Sequence, residues 1–287
     1  MKLGVITDGI STDLEYALKV MNETGLEYAE LQFVWDKEIG DQTAEEIQTI
    51  KELVALYDAK VPCITRHNFV GLPVMTTEIA DEAYQSHMEG LQRCIRLAKE
   101  LGTGMVRIMS GRKEMIIFGY DGAEKWVAST GAWGRLLKLM EPPVRLAEEE
   151  GITLAVETGN NAMITSAWLG KKLIEDLGSK HLKIIWDIPN TLYCTDIPYP
   201  DAYEEIKDHI GHIHIKDCRA DIARATVRFC PLGEGDMAPY LEGIAAALKK
   251  DRYQGVVSLE SVYRPENGTF EDGYRACLPV FKELFGE

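Results

Sequence analysis

The chain has 287 residues, 46% of them hydrophobic and 27% charged, a balance that suits a packed protein and excludes disordered, collagenous and fibrous classes. With 31 Lys and Arg against 46 Asp and Glu, its formal charge of -15 repels phosphate backbones, so no nucleic-acid partner is expected. No apolar run reaches the roughly 18 residues of a membrane span, and MKLGVITDGIST lacks the basic-then-apolar layout of a signal peptide, so a cytoplasmic protein with no membrane partner and six reduced, scattered cysteines is expected.

In chain order, short β-branched runs bounded by Gly, Pro or Asp predict strands at 3–7, 28–34, 61–67, 105–110, 152–157, 182–187, 212–217 and 256–260. Between them lie stretches of helical period: DLEYALKVMNETG, TAEEIQTIKELVALYD, EAYQSHMEGLQRCIRLAKELG, PPVRLAEEEG, LGKKLIEDLG, DAYEEIKDHIG, MAPYLEGIAAALKKDRY and DGYRACLPVFKELFG. Several end on Gly, as helix C-caps do. Eight strands each followed by a helix, with no linker or low-complexity break, predict an α/β fold, a (β/α)8 TIM barrel forming a single domain over 1–287. An open doubly wound sheet would more typically stop at five or six strands. The stretch 111–136 reads as an enlarged loop after the fourth strand, either a cover for the barrel mouth or a peripheral insertion.

Alternation within the later strands points the same way. In ITLAVE, Glu157 shares a face with Thr153 and Ala155, against Leu154 and Val156. Asp187 opposes Ile184 and Trp186; His214 shares a face with His212; Glu260 shares one with Val256 and Ser258. Four strands in a row thus carry an inward ionisable residue at the C-terminal end, where barrel active sites lie. Three carboxylates and one imidazole converging there would repel one another without a cation, and such a donor set suits Mn²⁺, Mg²⁺ or Co²⁺ better than a structural Zn²⁺.

Other residues carry two readings each. His67 is a substrate hydroxyl contact or a hydrogen-bonded rim histidine; His212, one layer below His214, is read as a satisfied core histidine. Arg107 and Lys183 face inward and either neutralise the carboxylates or bridge barrel layers. Arg219 reaches a substrate or is a solvated loop charge, and parity puts Lys216, not Asp217, on the His214 face. Asn160, Asn190 and Trp35 suit ligand hydroxyls and ring faces but are equally at home in βα turns. The LGEG turn before Asp236 could cradle a phosphate on its amides. No dinucleotide fingerprint, phosphate loop, nucleophile elbow or HExxH helix is present.

The segments VETGNN, IIWDIPN, HIHIKDC and VVSLES, in this order on the fifth to eighth strands, resemble the xylose isomerase-like barrel superfamily, in particular its sugar phosphate isomerase/epimerase branch. The resemblance implies that Glu157, Asp187, His214 and Glu260 bind one divalent ion, Mn²⁺ first, with Mg²⁺, Co²⁺ or Zn²⁺ as alternatives. It implies that Glu157 and Glu260 are the acid/base pair of an enediolate mechanism on a small-molecule sugar, in a homodimer; by residue type and place, His67, Asn190, Arg219, Lys216 and Trp35 are then the candidate substrate contacts. Two departures bear on the reaction. Asn190 stands where the branch usually has a His three residues after the Asp, which leans toward a lyase acting on a keto-sugar or keto-glycoside, as in inosose dehydratase or C- and 3-keto-glycoside cleavage. VRFCPLGEGD lacks the second histidine motif of the endonuclease IV branch, against a trinuclear nuclease. From another class, a non-catalytic sugar-binding barrel, or one subunit of a hetero-complex, stays open.

Overall fold

A computed structural model describes residues 1–113 and 131–286. Its strands are β1 (Lys2–Ile6), β2 (Tyr28–Glu30), β3 (Phe33–Val34), β4 (Lys37–Glu38), β5 (Met105–Ile108), β6 (Thr153–Glu157), β7 (Leu182–Asp187), β8 (Ile210–Ile215), β9 (Asp217–Asp221), β10 (Thr226–Cys230) and β11 (Val256–Leu259). The helices are α1 (Leu14–Glu23), α2 (Ala44–Leu56), α3 (Glu82–Glu100), α4 (Ala132–Glu150), α5 (Ala167–Leu177), α6 (Ile188–Leu192), α7 (Tyr203–Ile206), α8 (Ala238–Lys250) and α9 (Phe270–Phe285).

Seven parallel strands run in the order β2-β1-β11-β8-β7-β6-β5. The predicted third strand, 61–67, is not a regular strand. Pro62 has no N–H to give a ladder, and the segment pairs only through isolated bridges, Tyr28 with Lys60, and Ile64 with Leu31 on one side and Val106 on the other. Those contacts still close the ring: Thr65 N–H donates to Leu31 O at 2.9 Å and Arg107 N–H to Ile64 O at 2.9 Å. The barrel therefore has eight staves, one of them irregular, and its C-terminal end gathers the strand ends named above.

The alternation read from sequence separates two interiors. Leu154, Val156, Ile184, Trp186, Ile213, Ile215, Val257 and Leu259 join the large core between strands and helices. Cys63, Ala155 and Ile185, with Met105 against them, form a small apolar plug inside the ring. Above the plug the inner wall is polar: Glu30, Arg107, Glu157, His212, His214 and Ser258 are all buried.

Helix ends follow local chemistry. Gly151 and Gly178, in the left-handed conformation, close α4 and α5 as predicted. The helix predicted to start at PPVRL begins ten residues earlier, because the cost of the prolines is met from outside. Pro143 has no N–H for Leu139 O, and the Tyr84 hydroxyl from α3 donates to that carbonyl at 2.7 Å. The stretch DAYEEIKDHIG is broken, with only α7 a short α-helical piece. The predicted loop 111–136 lies mostly outside the described residues. Among the described residues no helix is long and apolar enough to cross a membrane, and all six cysteines are free thiols.

Candidate metal centre and substrate cavity

Each member of the cluster is placed by a strand end. Glu157 closes β6; Asp187 closes β7 and caps α6, accepting from Asn190 N–H at 3.2 Å. His214 sits on β8 opposite Asp187 on one side and Ser258 on the other. Glu260 follows β11, anchored by its N–H to Ile215 O at 2.9 Å. One ligand atom from each of Glu157, Asp187, His214 and Glu260 lies within 4.8 Å of the others.

The surrounding groups fix charge and orientation. His214 Nε2 faces Glu30 Oε1 at 2.9 Å and its Nδ1 faces Glu157 Oε1 at 2.9 Å. As the structure stands, a protonated ring donates to both glutamates; with a metal bound, the Glu30 carboxylate would keep the proton on Nε2 and leave Nδ1 as the ligand atom, the usual support of a metal-binding imidazole. Glu30 spends its other oxygen on His212 Nε2 at 2.8 Å, and His212 also reaches Ser258 Oγ at 3.1 Å, so His212 is the satisfied core histidine expected. Arg107 Nη1 donates to Glu157 Oε2 at 3.0 Å, the neutralising role among its two readings. Lys183 instead points to Asp208 O, away from the cluster. The Lys216 ammonium bridges Asp187 and Glu260.

Ionised, Glu30, Glu157, Asp187 and Glu260 carry four negative charges against the two of Arg107 and Lys216. In the state a metal requires, with those carboxylates ionised and His214 neutral, the cluster would be short by two positive charges, the charge of one divalent ion; with no ion, protons on His214 and Asp187 offset it instead. The oxygen-rich set with one nitrogen fits such an ion. Burial would raise the Glu157 carboxyl, but Arg107 and then His214 hold it below the ordinary carboxylate value. Burial pushes Asp187 well above its ordinary value against the pull of Lys216, with Glu260 and Glu157 adding to the rise. Burial opposes charge on His214, yet Glu30 and Glu157 carry its pKa well above the usual imidazole range.

A cavity of about 330 Å³ opens over the cluster, lined among others by His67, Asn160, Asn190, Tyr193, Lys216 and Glu260. His67 Nδ1 pairs with Glu38 Oε1 at 2.8 Å, and its backbone N–H donates to the same oxygen at 2.7 Å. Lys216 faces inward as parity required, whereas Asp217 turns back to accept from Gly233, Gly235 and Met237 N–H. Those amides are spent on Asp217, so the LGEG turn offers no phosphate cradle. Asn190 lines the cavity, but its Nδ2 donates to Asp187 Oδ2 and Thr158 O and its Oδ1 accepts from Tyr193 at 2.8 Å, which makes it a support for Asp187. Arg219 is exposed, its guanidinium on Glu234 O, and does not line the cavity. Trp35 does not line it either: Trp35 and Asp36, with φ of 51° and 62°, make the two-residue turn between β3 and β4, whose twist demands positive φ at both positions.

Sequence reading missed several participants. Glu30 was legible in principle, since alternation in Tyr28–Glu30 repeats the inward phase of the later strands. Glu38 was not, because a hairpin inserted after a strand has no periodic signal. The β9/β10 hairpin was read as loop, yet Val227 and Phe229 from it wall the cavity.

A family model described as xylose isomerase-like TIM barrel matches residues 18–283, and the chain belongs to that family. No curated protein sequence matches it significantly. Among solved structures, it is similar to the probable 3-DHS dehydratase AsbF of Bacillus anthracis, at 16% identity over 98% of this chain and 99% of that one, TM-score 0.74. It is similar to the IOLI protein with a bound zinc atom, at 16% identity over 99% and 98%, TM-score 0.72. The 3-keto-D-glucoside 4-epimerase YcjR of E. coli gives 19% identity over 99% and 98%, TM-score 0.69. At these identities the likeness is one of fold.

Proposed function

We propose that the protein is a divalent-metal-dependent sugar isomerase or epimerase working through an enediolate, with Glu157, Asp187, His214 and Glu260 as ligands and Glu157 and Glu260 as the acid/base pair. The observation that carries this reading is the convergence of those four donors within 4.8 Å beneath an open polar cavity. The epimerase and the zinc-bound protein among the similar structures support it. Mn²⁺ is the preferred ion, with Mg²⁺, Co²⁺ or Zn²⁺ as alternatives. When bound, the ion supplies positive charge beside the oxygens on which negative charge builds as a carbon-bound proton leaves.

The two glutamates are not equivalent. Glu157 has one oxygen on Arg107 and the other on His214, which fixes its position and favours its ionised form. Glu260 has Oε2 on Lys216 and, at 19% exposure, is the more open to the cavity, so it is placed to take the first proton from a substrate carbon. Lys216 beside it keeps a proton within reach of substrate oxygens. That ammonium, with Asn190 committed to Asp187, favours a second reading: a lyase in which Lys216 protonates a departing β-hydroxyl after the same first step.

Elemental analysis of the purified protein, before and after chelation with Mn²⁺ added back, tests the site. Near-stoichiometric divalent metal is expected, followed by deuterium uptake from solvent into a ketose or keto-glycoside. No metal in a folded protein would remove the proposal and leave a sugar-binding barrel. A product lighter by one water assigns the lyase reading.

A further inference from the structure

A second cavity, of about 540 Å³, meets the first at Glu260, which lines both. It lies between the loop after β1, the start of the β3 hairpin and the segment joining β11 to α9. Its wall carries two aromatic faces, Phe33 and Phe270, beside Asp8, Gln32 and Arg264. Ser261, also on this wall, is 2% exposed, and its hydroxyl has no hydrogen-bond partner among the described residues. Arg264 stacks on Phe270, 5.9 Å from the ring centre, and spends only its Nε, on Gly268 O.

Small-molecule clefts run from roughly 300 to 1,000 Å³, and both cavities, joined at Glu260, fall within that range. An apolar face bordered by hydroxyl, amide, carboxylate and guanidinium groups fits a ring with a hydrophobic flat and a polar edge.

We propose that this second cavity is a subsite for a ring attached to the reacting sugar, so that the substrate is a glycoside of two rings and not a free monosaccharide. The attached ring stands between Phe33 and Phe270, beside Gln32 and Arg264, while the reacting ring sits over the cluster. Glu260, at the junction, faces the linkage between them. The inference rests on the sugar chemistry proposed above, but its own claim concerns size and binding.

The test is affinity of the full-length protein for D-glucose, cellobiose and phenyl β-D-glucoside, measured by calorimetry or ligand-observed NMR. A two-ring probe should bind about tenfold more tightly than glucose, the gain of one aromatic contact; whether cellobiose or the phenyl glucoside gains more identifies the attached ring as sugar or aryl. Phe270→Ala, which opens the subsite, and Gln32→Trp, which fills it, should each remove that gain and leave glucose affinity unchanged. Equal affinity for one and two rings, no binding of any probe, or equal loss for all probes in both variants would overturn the subsite. Deuterium exchange reports separately on the reaction: exchange without a two-ring gain removes only the subsite, and a two-ring gain without exchange removes only the catalytic reading.

Discussion

The barrel from β5 round to β11 and the sector made by β2, the β3/β4 hairpin and residues 60–67 serve one site by different means. In the first, five neighbouring parallel strands pair in continuous ladders, with one register shift at Ile184/Ile185, and four strand ends present the inward side chains of the cluster. Glu157, Asp187, His214 and Glu260 come from that half. In the second, β2 has three residues and its neighbour touches the sheet at isolated bridges, with Pro62 interrupting the ladder. This sector supplies no member of the four-residue cluster; it supplies what orients one, Glu30 on His214, and a rim pair, Glu38 with His67. Regular strands set ligands to a common height, and the irregular sector reaches around them to fix tautomer and charge.

The largest effects should come from the regular half. Glu260→Gln should slow deuterium exchange by about 10²–10⁴-fold, the range of a lost acid/base group, while the neutral amide leaves metal bound more weakly. His214→Ala should abolish both metal and exchange, read by elemental analysis. An exchange rate within tenfold of the parent in Glu260→Gln would break the assignment of the acid/base role to that half.

Next comes the orienting residue of the irregular sector. Glu30→Gln should weaken metal binding by about 10–100-fold, the usual effect of removing the partner of a metal-bound imidazole, measured by competition with a chelator. Unchanged affinity would reduce Glu30 to a core residue and dissolve the division of labour.

That division also explains what the sequence made legible. Alternation with period two identified the inward residues of β6, β7, β8 and the end of β11 because those ladders are long, and the one register shift, at Ile184/Ile185, still leaves Asp187 paired with His214. It failed at 61–67, where Pro62 forbids the pattern, and at the two hairpins, whose residues answer to turn geometry and to the cavity they border. Asn190 and Trp35 show the limit of reasoning by residue type. Both sit near strand ends, as expected of sugar contacts; Asn190 lines the cavity with its amide tied to Asp187, and a positive φ sets Trp35 in a turn away from it. Only the spatial neighbours decide such cases.

Tyr84→Phe tests a support remote from both halves of the site. It leaves Leu139 O without a donor in a buried position, so a loss of about 1–3 kcal/mol in unfolding free energy is expected, by denaturant titration, with metal affinity unchanged. A change in metal affinity would show that α3 and α4 shape the cluster as well as brace it.

The smallest effect is the one that reads the rim pair. Burial would raise the Glu38 carboxyl, but the hydrogen bonds from His67, then Arg66, lower it to about 2 from 4.5. A carboxylate whose pKa is lower folded than unfolded stabilises the fold above the unfolded value and loses that contribution as pH falls through the folded one. The contribution of Glu38 is therefore complete above about pH 5 and fades between about 4.5 and about 2. Glu38→Gln should cost about 1 kcal/mol at pH 6, given partial exposure and solvent screening, and the difference from the parent should close as pH drops through that window. Other carboxylates titrate in both proteins, so the difference between the two stability curves isolates this one. A gap that persists at pH 2 would mean that Glu38 acts by packing and shape, and the irregular sector would then hold His67 without the help of charge.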